Sequence, residues 1–167
     1  MIYPFLSAIL PELIPGKAPE LTLEEFDALA AENMSKTAFA RLDGKLPFHT
    51  ELARFTAYIA YRCAVIRAAK LNRDAIFPEP EYSYGEVDFA ANSLAVAAPA
   101  DRELLLDALI WCRLDELELG HDLDLTHIGI YRTRLQLLQK YARRNEKAAL
   151  HNFEAALEKL SADFNEP

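Results

Sequence analysis

The chain has 167 residues, enough for one domain with a sizeable core. Hydrophobic residues make up 51% and charged residues 26%, with only 5 Gly, a composition that argues against a disordered chain. The net charge of −8 leaves no broad Lys/Arg surface to displace counterions from phosphate, so neither nucleic acid nor an anionic membrane surface is an expected partner.

Residues 1–14 are apolar and punctuated by Pro4 and Pro11, and read as an irregular segment packed on the body. They lack the basic start of a signal peptide. Pro15-Gly16 marks a turn. Thr22 and Glu25 fit a capping box, in which each side chain satisfies a backbone N–H of the first turn; the spacing predicts a helix from Leu23 to about Met34. Ser35 can cap a second, short helix ending near Asp43-Gly44.

The longest helix is predicted from Pro47 to Leu71. Phe48, Leu52, Phe55, Ile59, Cys63 and Ile66 recur at steps of three and four, one face of an α-helix. Residues 72–86, with Pro78, Pro80 and Gly85, read as a loop. Asp88–Ala98 reads as an Ala-rich helix. Pro99 opens another to about Leu119, with Leu105, Leu109, Cys112 and Leu119 along one side and Trp111 nearby. Gly120 stops it. Asp122 or Asp124 can cap the next helix, through Ile128, Tyr131, Leu135, Leu138 and Tyr141. Arg143-Arg144-Asn145 marks a break before a last amphipathic stretch of Leu150, Phe153, Ala156, Leu157 and Leu160, and 162–167 form a frayed tail.

The expectation is therefore an all-α protein: one compact domain over residues 1–167, a bundle of about five or six helices with no substantial sheet. Cys63 and Cys112 each sit in an apolar helical stretch and read as buried small hydrophobes. No apolar run reaches the roughly 20 residues needed to cross a bilayer, so direct membrane insertion is not expected.

Chemistry-bearing residues concentrate in Asp115-Glu116-Leu117-Glu118-Leu119-Gly120-His121-Asp122-Leu123-Asp124-Leu125-Thr126-His127. Glu118-x-x-His121 has the spacing used in carboxylate-bridged di-metal bundles, and with Asp124 and His127 it forms a candidate metal set. That chemistry needs a second such motif, and none is present. The alternative is a helix–loop–helix junction in which acids cap the incoming helix. No Gly-x-Ser-x-Gly elbow, phosphate-binding Gly loop or dinucleotide fingerprint occurs, so no catalytic or cofactor-binding residue is assigned and no cofactor is implied. Two further groups are candidates: Tyr58, Tyr61 and Arg62 as an interface patch, and a small-molecule pocket near Trp111 and Tyr131.

Two stretches carry a resemblance. Leu6-Ser7-Ala8-Ile9-Leu10-Pro11-Glu12-Leu13, and Leu114 to Leu125 followed by Tyr131 and Leu135-Gln136-Leu137-Leu138, resemble a group of bacterial proteins encoded beside V-type (V/A-type) ATPase genes, themselves similar to the C-type (also called d-type) component of that ATPase. The resemblance implies a non-catalytic helical connector or accessory factor. Its partners would be central-stalk subunits, and it would be cytoplasmic, peripheral to the membrane through the ATPase. The junction residues Asp115, Glu118, Gly120, His121, Asp122, Asp124 and Tyr131 would then be structural or interaction residues. The C-type component is about twice this length and built from repeated helical units, so the chain would supply part of that shape.

Overall fold

A computed structural model describes residues 2–73 and 77–142. The region around Arg143-Arg144-Asn145, the amphipathic stretch from Leu150 to Leu160 and the tail 162–167 lie outside the described residues. Among the described residues the fold is all-α. Seven helices follow in order: α1 (Pro4–Ile9), α2 (Leu23–Asn33), α3 (Lys36–Phe39), α4 (Pro47–Lys70), α5 (Gly85–Val96), α6 (Pro99–Glu118) and α7 (Leu125–Ala142). The additional helix is α1, which lies in the segment read as irregular and brings the count above the expected five or six.

The N-terminal expectation needs correcting. Residues 4–9 are helical, not irregular, because Pro4 occupies the first turn, where its fixed φ suits a helix and its missing N–H is not needed. Leu6, 1% exposed, anchors this turn. Ahead of α1, Tyr3 N–H donates to Leu123 C=O at 2.6 Å, and Ile2 forms an isolated bridge with Asp124. The chain start is thereby pinned to the α6–α7 connection. From there to Pro15 it runs on as a strap, held by Tyr131, whose hydroxyl donates to Pro11 C=O at 2.8 Å.

The caps follow the sequence. Thr22 Oγ1 accepts from Glu25 N–H at 3.2 Å while Glu25 Oε2 accepts from Thr22 N–H at 2.8 Å, so both halves of the capping box form. Ser35 accepts from Ala38 N–H and starts α3. At α4 a different device appears: Leu46 N–H donates to His49 Nδ1 at 3.2 Å. Burial holds the His49 imidazole below its ordinary value, consistent with a neutral ring accepting that bond. The described part of the 72–86 loop ends at Tyr84, since α5 starts at Gly85, three residues before the expected Asp88. Arg102 closes the other end of α5, donating to Leu94 C=O and Ala97 C=O at 3.1 and 2.9 Å.

Two apolar clusters share the long helices. One joins Phe55, Tyr58, Ile59 and Cys63 of α4 to Val87, Ala90 and Leu94 of α5, Ala108, Leu109 and Trp111 of α6, and Leu138. The other gathers Leu6, Phe26, Ala30, Leu42, Leu46 and Phe48 around Leu114 of α6 and Ile128, Ile130, Tyr131 and Leu135 of α7. α4, α6 and α7 run through both. Gly129 marks a close approach of helices: a Cβ there would stand 2.5 Å from Leu46 Cδ1 and 2.8 Å from Phe48 Cε1. Glycine lets α7 lie directly on the start of α4.

The buried face of α6 is rotated from the expected stripe. It consists of Asp107, Ala108, Leu109, Trp111 and Leu114, whereas Leu119 is 80% exposed and Cys112 is exposed. Cys63 is buried as expected. Asp107 lies on the inner face because Lys140 of α7 meets both its carboxylate oxygens at 3.1 Å.

Candidate functional site

The junction between α6 and α7 is built by a stop, a short loop and a cap. α6 ends as Leu119 N–H turns back to Glu116 C=O, and Gly120 follows at φ +83°, a conformation that costs glycine little and other residues more. His121 N–H then donates to Glu118 C=O at 2.9 Å. Asp124 caps α7, its Oδ1 accepting from Thr126 N–H at 2.8 Å and His127 N–H at 3.1 Å. Of the two acids offered by the sequence, Asp124 is the cap and Asp122 is exposed.

The four candidate metal residues fall into two pairs. His121 Nδ1 lies 2.7 Å from Asp124 Oδ2, and His127 Nδ1 lies 2.7 Å from Glu118 Oε1. The break at Gly120 takes His121 off the helical face that Glu118 occupies, so the i, i+3 spacing does not bring the two together as ligands. Among the described residues, no group of three or more His, Cys, Asp or Glu side chains is arranged to hold a metal ion.

Arg134, about one helical turn beyond Tyr131, joins the rest. Its two terminal nitrogens reach Asp115 Oδ1 and Glu118 Oε2, both at 2.5 Å, and its guanidinium lies over the Trp111 ring at 5.4 Å. Burial raises the Glu118 carboxyl, but the bonds from His127 and Arg134 outweigh it and hold the group below its ordinary value. At Asp124, burial is likewise outweighed by the His121 bond and the backbone N–H groups of His127 and Thr126. Burial, then the charge of Glu20, pushes the Tyr131 phenol up to about 12, so it remains a hydrogen-bond donor to the strap.

Two recesses flank this network. One, of about 410 Å³, lies between the strap and the α6–α7 face and is lined by Ser7, Glu12, Trp111, Tyr131, Asp115 and Arg134 among others. The other, of about 350 Å³, is lined by Asp115, Glu118, Leu119, Gly120, Asp122 and His127. The first of these lies where the sequence suggests a pocket, near Trp111 and Tyr131. The parts played by Arg134 and by Ser7 on the strap are not legible there, because both depend on contacts across the fold.

The other aromatic-basic group is a helix–helix link. Tyr58 OH donates to Asp88 Oδ1 of α5 at 2.9 Å, and Arg62 lies 2.7 Å from the same oxygen. Tyr58 is 6% exposed, which places it in the core edge and not on a free patch. Arg132 grips Asp27 of α2 with two bonds, at 2.8 and 3.0 Å.

No helix among the described residues is long and apolar enough to cross a membrane. No protein-family model, curated protein or solved structure matches the chain.

Proposed function

We propose that the chain is a non-catalytic helical interaction protein, and more narrowly a connector or accessory factor of a V-type ATPase, similar in role to its C-type component. One observation carries this reading: the junction that bears the resemblance is locked internally and presents an acidic and apolar edge outward. Glu118, His121, Asp124, His127 and Arg134 are all engaged in hydrogen bonds or an ion pair within the junction. On the outside stand Asp115, Glu116 and Asp122, with Leu119 80% exposed. The pinned N-terminus adds Ile2 and Phe5, 66% and 65% exposed, next to Leu123 at 39%. Apolar side chains framed by charge on a rigid edge suit a protein partner. The partners proposed are central-stalk subunits, with the chain cytoplasmic and held peripherally at the membrane through the complex.

Copurification from the native cell tests the reading. A tagged chain is expected to bring down central-stalk subunits, Leu119→Asp to weaken their recovery, and deletion to reduce proton pumping. Recovery of no ATPase subunit, with pumping intact in the deletion, overturns it.

A further inference from the structure

The recess under the N-terminal strap is chemically more ordered than a connector requires. Its volume, about 410 Å³, falls within the range of small-molecule sites, which run from about 300 to 1,000 Å³. Its inner wall is made by Trp111 and Tyr131, 6% and 8% exposed, and by the Arg134 side chain, 13% exposed. Its outer wall carries Glu12, which is exposed, and Asp115, whose side chain is 57% exposed.

Donors and acceptors are sorted by depth. The Ser7 hydroxyl and Arg134 Nε are both buried and have no hydrogen-bond partner among the described residues. Both belong to residues lining this recess. Buried polar atoms in folded proteins are nearly always satisfied, so two of them beside one recess call for a partner that enters it. An acceptor oxygen would answer both. The deep acceptors, in contrast, are already used: Glu118 Oε1 meets His127 and Oε2 meets Arg134. Acceptor capacity remains at the mouth, where Glu12 makes no ion pair among the described residues and Asp115 meets Arg134 through Oδ1 alone.

From this layout we infer that the recess binds a small zwitterion, one carboxylate and one ammonium group on a frame of amino-acid size. The carboxylate takes the Ser7 hydroxyl and Arg134 Nε, and the ammonium group faces Glu12 and Asp115. A plain carboxylate would meet the two acids at the mouth uncompensated, in a chain of net charge −8. A plain amine would leave the two buried polar atoms unsatisfied and meet the Arg134 charge. Only a molecule bearing both groups matches both depths.

The chain contains a single tryptophan, and it lines the recess, so its emission places a probe at this site. The full chain is titrated with the free L-amino acids, and with propionate and ethylamine as the carboxylate-only and amine-only counterparts of alanine. The expected result is a saturable change in Trp111 emission, with a raised Tm, for at least one amino acid. Propionate and ethylamine give neither. Ser7→Ala and Glu12→Gln each weaken that binding by about tenfold, the loss of one good contact, while their own Tm without ligand stays close to that of the parent. The inference is overturned if no amino acid gives a saturable response up to about 10 mM, a limit that corresponds to very weak affinity, which would leave the recess to water alone. Binding of propionate or ethylamine as tight as that of the amino acid, or unchanged binding in both variants, overturns it equally.

Discussion

Two acidic links join α6 to α7, and they are built differently. Asp107 is buried, its side chain 3% exposed, and Lys140 meets both its oxygens at 3.1 Å. Further along α6, Asp115 and Glu118 share Arg134, with side-chain exposures of 57% and 23%. The first link has one buried acid and one base whose side chain is 42% exposed. The second is a network that also holds His127, stacks on Trp111 and borders two recesses. The difference separates a fastening from a surface. A carboxylate enclosed by the core can only serve the fold, whereas carboxylates held half open in fixed positions remain able to meet something else.

The largest effect should come from breaking the enclosed link. Lys140→Met leaves the Asp107 charge buried without its partner, and a loss of about 3 kcal/mol is expected in urea unfolding, the lower end for a broken buried pair because the lysine itself is partly exposed. Adding Asp107→Leu should recover most of that loss, since a well-packed apolar pair removes the stranded charge. A loss below about 1 kcal/mol for Lys140→Met would mean that the Lys140 bonds do little to offset the burial of Asp107, and the contrast between the links would fail.

How far each link is legible in the sequence follows from the distance over which it acts. The Thr22–Glu25 box, the Gly120 stop and the Asp124 cap act within four residues, and local spacing displays them. The α4 and α7 faces repeat often enough for Phe55, Ile59, Ile128 and Leu135 to declare themselves. α6 is harder. Leu104, Leu105, Leu106, Leu109 and Ile110 surround much of the helix, so periodicity alone cannot choose the inner side. The choice is made by Lys140 drawing Asp107 inward and by Trp111 facing α7, both properties of the assembled bundle. At the site, the density of acids and histidines from Asp115 to His127 is visible in the sequence, but their pairing is not. Arg134 lies 19 residues from Asp115, and the bond from Tyr131 to Pro11 spans 120.

The junction can be broken through its backbone before its charges. Gly120→Val places a β-branched residue at φ +83° and is expected to cost about 1–2 kcal/mol, although its Cβ would meet no atom within 4 Å, so the cost is conformational and not steric crowding. His121→Ala should cost less, about 1 kcal/mol or under, because its bond to Asp124 is part exposed, the side chains being 40% and 35% accessible. Equal melting temperatures for Gly120→Val and the parent would remove the stop assigned to Gly120.

Acid sharpens the comparison from another side. Glu118 and Asp124 are held below their ordinary values of 4.5 and 3.8, so each binds protons more readily when unfolded. Their contribution is present in full above those values and is lost as the pH falls below them through the folded-state values. Urea midpoints measured from pH 6 down to about pH 3 should therefore decline across the lower half of that range, and Glu118→Gln should flatten the decline. A decline unchanged in Glu118→Gln would remove Glu118 from the acid sensitivity and leave Asp124 as its junction source.

The smallest effect is expected at Asp115, and it is the most telling. Its carboxyl differs from that of Glu118: partial burial, more than Arg134 offsets, raises it above its ordinary value. Asn in its place keeps a carbonyl oxygen for the Arg134 bond and removes a charge that gains little there. Asp115→Asn should therefore change stability by no more than about 0.5 kcal/mol in either direction, the behaviour of an exposed ion pair. A loss of about 2 kcal/mol or more would show that the open network fastens the helices nearly as firmly as Asp107 does. In that case Asp115 could not turn toward a partner or a ligand without loosening the bundle, and the division between a fastening and a surface would no longer hold.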